Sequence, residues 1–140
     1  MRILVEGDTV VVALVPGEEI VASLRSVAES QKIQGGWFCG LGSTSDVEIA
    51  FFDPQRKEYL PRRFEEPMEV GSLVGVLSLL EGEPHVHAHA TVSGSELIAF
   101  TGHLNKGVVG TACEIWIRRL KAALPRVRDA AAGFNPLQLP

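Results

Sequence analysis

Apolar and polar residues alternate in short runs along most of this chain, the pattern of strands buried on one face. Arg2 to Glu6 and Thr9 to Val15 are β-branched runs on either side of Gly7-Asp8, a dipeptide suited to a tight turn, and they predict two hairpin strands. The period then changes. After Pro16-Gly17-Glu18-Glu19, Ile20, Leu24, Val27 and Ala28 recur at helical spacing behind acidic residues that suit the helix dipole. One amphipathic helix is expected over 17–31. Small and large residues intermix from Gly35 to Ser43, predicting a strand or tight loop with close backbone approach. Val47 to Phe52 follows as a strand, 53–57 carries turn chemistry, and Tyr59-Leu60 opens a return strand. Val70 to Leu80 is a long apolar run whose Gly71 and Gly75 signal bulges or tight packing. His85 to Val92, Leu97 to His103 and Val108 to Ile117 bring the set to about eight strands.

From Arg118 the periodicity fades. Residues 119–140 form a C-terminal extension, either a short helical turn with an extended arm packing through Phe134, Leu137 and Leu139, or a frayed terminus. At 140 residues, without repeats or a linker, the whole of 1–140 reads as a single domain large enough for a real core. A net charge of -4 confines any nucleic-acid contact to a local patch. Arg118, Arg119, Lys121, Arg126 and Arg128 put five cations into eleven residues, a candidate patch whose alternative is a solvated surface. The longest apolar stretches fall short of the roughly 20 residues of a membrane helix, and the N-terminus lacks signal-peptide order, so a cytoplasmic location without a membrane partner is expected. Cys39 and Cys113 stand 74 positions apart and are expected to be buried, reduced thiols.

All four histidines fall within nineteen residues, at His85, His87, His89 and His103. Alternate residues of a strand share a face, which sets 85, 87 and 89 on one side at intervals of about 6.6 Å. The outer pair is then about 13 Å apart, too far for all three to meet one ion. His103 is the natural third donor, returned beside 85 and 87 by a hairpin turn through Ser93-Gly94-Ser95-Glu96 if the loop is odd in length or bulged at Gly102. Such a triad suits a divalent transition metal, zinc first, and leaves a position for water or a carboxylate. The competing reading makes the histidines the polar face of a half-solvated strand. Glu81, Glu83 and Glu114 are the acids placed to work with such a site, Glu81 and Glu83 in a turn and Glu114 in an apolar strand. Glu114 either faces solvent or is buried with a partner, and is a possible further ligand. Gly40-Leu41-Gly42-Ser43 completes neither a nucleophile elbow nor a dinucleotide fingerprint, and Lys106-Gly107 is no phosphate loop.

Over about residues 9–118 the chain resembles the PPC (plants and prokaryotes conserved) domain family. The pieces are Pro-Gly-Glu-Glu-Ile-Val-Ala-Ser-Leu (16–24), Gly-Leu-Gly-Ser (40–43), Phe-Phe-Asp-Pro-Gln-Arg-Lys-Glu-Tyr (51–59) and Glu-Pro-Met-Glu-Val-Gly-Ser-Leu-Val-Gly (66–75). Gly-Glu-Pro-His-Val-His (82–87), Gly-His-Leu (102–104) and Thr-Ala-Cys-Glu-Ile (111–115) follow in order. The resemblance implies an α/β fold of the α+β kind, with a bent, largely antiparallel sheet flanked by helix, and a homotrimer in stand-alone prokaryotic members. It also implies that the family's histidines correspond to His85, His87 and His103, with His89 outside the pattern. In plants the domain accompanies AT-hook motifs, which gives prokaryotic members their description as DNA-binding; no Arg-Gly-Arg-Pro core occurs here. Two classes of function follow: a trimeric, metal-holding binding or regulatory module with a DNA role, or a small metal-dependent hydrolase using a His-bound water.

Overall fold

The structure, a computed structural model, describes residues 1–139; Pro140, the last residue of the expected extension, lies outside them. Strands β1 (Arg2–Glu6) and β2 (Thr9–Leu14) form the first hairpin, and helix α1 (Ile20–Ser30) follows. Next come β3 (Gly36–Asp53), β4 (Glu58–Phe64), β5 (Met68–Leu80), β6 (Glu83–Ser93), β7 (Ala99–Arg119) and the short β8 (Pro125–Arg126). One helix and one sheet of eight strands give the α+β architecture expected, and every pairing is antiparallel except β8 on β5. The helix starts at Ile20 rather than 17 because the Glu19 carboxylate caps it, accepting from Val21 N at 3.0 Å and Ala22 N at 2.6 Å. No helix is long and apolar enough to cross a membrane, among the described residues.

The ladder turns back on itself. β3 pairs with β5, β5 with β6, β6 with β7, and β7 again with β3, so the four strands form a closed cycle. Its inner face carries Phe38, Leu73, Leu77, Ala88, Ala90, Cys113, Ile115 and Ile117, all buried. Helix α1 adds Ile20, Leu24, Val27 and Ala28 to the same core. Closure requires long strands, which is why four of the expected segments merge: 35–43 with 47–52 into β3, and 97–103 with 108–117 into β7. Register shifts at Gly42/Thr44 and Thr44/Asp46 bend β3 at the junction of the two expected segments. Cys113 is buried as expected, whereas Cys39 faces outward and is half-buried.

The extension is ordered along the sheet edge. Leu124 accepts from Leu79 N at 2.9 Å and donates to Gln34 O at 3.0 Å, and Gln138 N donates to Pro125 O at 2.8 Å, so the arm doubles back over β8. Phe134 meets Phe52 edge-on with ring centroids 5.8 Å apart, while Leu139 stays exposed.

Gly75 marks the tightest point of the cycle, between Phe38 on β3 and Ala88 on β6. A Cβ there would overlap the His87 carbonyl oxygen and the Phe38 ring, and the backbone oxygen cannot swing aside. Gly75→Ala should therefore cost about 1–3 kcal/mol of unfolding free energy, measured by urea titration; an unchanged midpoint would show that β5 has room to shift.

Candidate metal centre

Strand β6 alternates Val86, Ala88, Ala90 and Val92 inward, which turns His85, His87 and His89 outward. Its partner β7 returns through a five-residue turn, Gly94 to Ile98, closed by Leu97 N donating to Gly94 O at 3.0 Å with Leu97 at φ 57°. The turn is centred later than the sequence reading placed it, because Leu97 and Ile98 are apolar yet exposed turn residues. His103 consequently pairs with His89 rather than with His85 or His87, without a bulge at Gly102.

Three imidazoles converge. Ring centroids lie 5.3 Å apart for His87 and His89, 5.1 Å for His87 and His103, and 5.6 Å for His89 and His103. One ring nitrogen from each falls within 4.8 Å of the other two. A tetrahedral ion with bonds of about 2.0–2.1 Å needs donors roughly 3.3 Å apart, so small ring rotations complete the set. The donors fit such an ion on a second count: His103 Nδ1 is buried and has no hydrogen-bond partner. His85 lies one further alternation along β6, opposite Ser78, on the wall of the adjoining cavity.

Burial favours the neutral form of three of the histidines, His87, His103 and His85. It pushes His87 down to about 4, helped by the Arg126 guanidinium and the neighbouring histidines. His103 falls to about 4 for the same first reason, with His89, His85 and Arg126 adding to it. His85 is also lowered, by burial first and then Arg126 and Arg25. A neutral imidazole keeps the lone pair that a metal requires.

A cavity of about 390 Å³ opens on the cluster, lined by Tyr59, His85, His87 and His103 on the sheet side and by residues between Arg126 and Asn135 on the other. Tyr59 lies against His103 with centroids 4.8 Å apart. Arg126 Nε donates to Ser78 Oγ at 2.9 Å, one amino group donates to Asn135 O at 2.7 Å, and the other lies 3.3 Å from His87 Nδ1. Ser78 is buried and its hydroxyl donates to His85 O at 3.2 Å, tying the arm to the histidine strand.

The five tail cations do not form one surface patch. Arg126 is turned into the cavity; Arg128 pairs with Glu81 at 2.7 Å, Arg118 with Asp8 at 3.6 Å, and Arg119 bonds the Gly7 carbonyl. Lys121 remains exposed. Glu81 is thereby held by a cation, its carboxyl lowered first by the Arg128 hydrogen bond. Glu83 is exposed at the start of β6. Glu114 faces solvent eleven residues beyond His103 on β7 and lines a different cavity with Leu41 and Thr111. The sequence alone does not place Tyr59, Ser78 or Asn135 at a site, and it offers Arg126 only as one cation of the basic tail run.

The model of the Plants and Prokaryotes Conserved (PCC) domain matches residues 1–121. Among solved structures, a candidate DNA-binding protein from Bacteroides thetaiotaomicron superposes with a TM-score of 0.93 at 26% identity, covering 98% of this chain and 96% of that one. A second candidate DNA-binding protein, from Ralstonia eutropha JMP134, gives 0.91 at 29% identity over 99% and 96%. A metal-containing protein from Archaeoglobus fulgidus gives 0.88 at 25% identity over 99% of both chains. No curated protein matches the chain in sequence.

The lowered histidines make metal-free protein sensitive to mild acid. An unfolded histidine takes its proton near 6.5, whereas folded His87 and His103 take theirs only near 4. Between those values the unfolded state binds more protons, so stability is full above about 6.5 and falls as pH drops toward 4. Thermal melts of chelator-treated protein should show this loss already between about pH 7 and pH 5, above the range where carboxylates contribute. Replacing His87 and His103 by Gln should flatten it, and a flat wild-type profile would contradict buried neutral rings.

Proposed function

Because the chain belongs to the Plants and Prokaryotes Conserved domain family, we propose that it is a metal-holding binding or regulatory module that assembles as a homotrimer. His87, His89 and His103 take one divalent transition metal, zinc by preference. The observation that carries this reading is the convergence of three ring nitrogens within 4.8 Å. A bound ion would supply a Lewis acid there. The chain's own residues do the rest: burial keeps His87 and His103 unprotonated, Tyr59 packs on His103, and Arg126 fixes the orientation of His87. His85 stands on the cavity wall and contributes no ligand.

The homotrimer is supported by the outer face of the sheet. Leu4, Val11, Trp116, Cys39 and Val74 follow one another across five strands and end at His89. Leu4 is 62% exposed, Trp116 40% and Val74 48%, with Trp37 at 52% beside them, an apolar surface of the kind that self-association covers. DNA contact, carried over from the neighbours, is weak and independent of sequence in this reading, since of the outward-facing tail cations Arg118, Arg119 and Arg128 are each engaged within the chain, by Asp8, the Gly7 carbonyl and Glu81. A small metal-dependent hydrolase is the second reading, favoured by the cavity beside the cluster. It ranks lower because Glu81 is paired, Glu114 is remote, and the acid lining the cavity, Asp129, caps its own turn through Ala132 N at 2.9 Å.

Elemental analysis of protein purified without chelator or nickel resin should give one zinc per subunit. His103→Ala and His89→Ala should bring it close to zero, while His85→Ala keeps it near one; loss with His85→Ala and retention with His89→Ala would move the centre up the strand. Sedimentation at micromolar concentration should report three subunits of 15.1 kDa. Trp116→Glu should dissociate them, and a wild-type monomer would defeat the assembly.

A further inference from the structure

The cavity wall opposite the histidines comes from residues beyond 121, where the family match ends. Arg126 in that wall is half-buried, and no carboxylate pairs with it among the described residues. Its hydrogen bonds go to neutral groups, Ser78 Oγ, Asn135 O and the His87 ring nitrogen. A guanidinium carries five N–H donors, so at least two remain for a ligand. Arg128, the other cation of the cavity, is already neutralised by Glu81. A partly desolvated charge without a counter-ion is costly, and the open side of this one faces the cavity.

We propose that the C-terminal arm builds an anion subsite on the histidine cluster, in which Arg126 holds the carboxylate of a small organic acid while Tyr59 and Phe134 flank its carbon skeleton. The assignment rests on reading the histidine cluster as the functional site. A volume of about 390 Å³ suits a small molecule. One unpaired cation matches one negative charge, and the planar carboxylate fits the guanidinium fork. A phosphate dianion would instead bring surplus charge toward Asp129 on the same wall.

Benzoate, one carboxylate on one ring, is the probe, titrated calorimetrically into the full chain with and without zinc. Benzoate should bind and neutral benzamide should not. Arg126→Met should weaken benzoate roughly tenfold to a hundredfold, the range for a hydrogen bond to a charged group. In wild-type protein the Arg126 Nε–H resonance should move on adding benzoate, a readout that needs no substitution. Equal affinity in Arg126→Met, or no benzoate binding with an unmoved resonance, overturns the subsite. Tighter binding of inorganic phosphate than of benzoate overturns the carboxylate class. Binding that needs zinc but ignores Arg126 assigns the anion to the metal, overturning the subsite while the metal reading stands. Arg126-dependent binding to protein that takes up no zinc supports the subsite although the metal reading fails.

Discussion

The register of the β6–β7 hairpin is the constraint on which the candidate site depends. A slip of one residue would turn the three imidazoles of β6 into the core and push Val86, Ala88, Ala90 and Val92 into water. Burial alone therefore forbids odd slips. A slip of two keeps every face correct, so something else must exclude it. Gly102 does so from the other side of β7, because the Ala50 backbone of β3 lies where a Cβ at 102 would sit, 2.6 Å from the Ala50 carbonyl oxygen. Moving β7 by two along β3 would bring a side chain under that carbonyl. With β7 pinned on β3, the five-residue turn leaves His89 as the residue opposite His103.

The closed cycle of strands explains why the site can hold polar rings at partial burial. Its interior is filled by aliphatic side chains and helix α1, so the histidines lie outside the cycle and take their cover from Tyr59 and the arm. The cover is coupled to the strand through Arg126, Ser78 and the His85 carbonyl, a chain of hydrogen bonds in which Ser78 is buried. Displacing the arm would leave Ser78 buried with one partner fewer and return His87 toward water, raising its affinity for protons. The arm is thus part of the electrostatics of the site.

What was legible in the chain follows the reach of its physical signals. Helix α1 was visible because Ile20, Leu24, Val27 and Ala28 repeat at its own period. The shared face of His85, His87 and His89 was visible because strand period is local. Which of them meets His103 depended on the turn, where apolar Leu97 and Ile98 imitate strand residues although they are exposed. The merging of β3 and β7 depended on closure of the sheet, a long-range condition that the local pattern around 44–46 and 104–107 does not carry. Arg126 was least legible. A cation within a basic run looks solvated until the chain folds back, and only Pro136 accepting from Val127 N and Asn135 accepting from its side chain turn this one inward.

The apolar outer row and the histidine cluster share a boundary, so the proposed assembly and the proposed metal binding would be linked. Val74 is the cross-strand partner of His89 and one of the exposed apolar residues, so a second copy seated on that row would lower the access of water to His89. Taking a neutral imidazole out of water costs far less than taking out its protonated form, and a metal-bound ring has already given up its proton. An occupied cluster would therefore favour the assembled state over a protonated one. By linkage, assembly would in turn tighten the hold on the ion, whatever the size of the assembly. The arm with Arg126 lies along β5 and over the cavity, on the other side of His87 from His89, so a copy seated on the outer row would meet the exposed His89 ring and leave the cavity open.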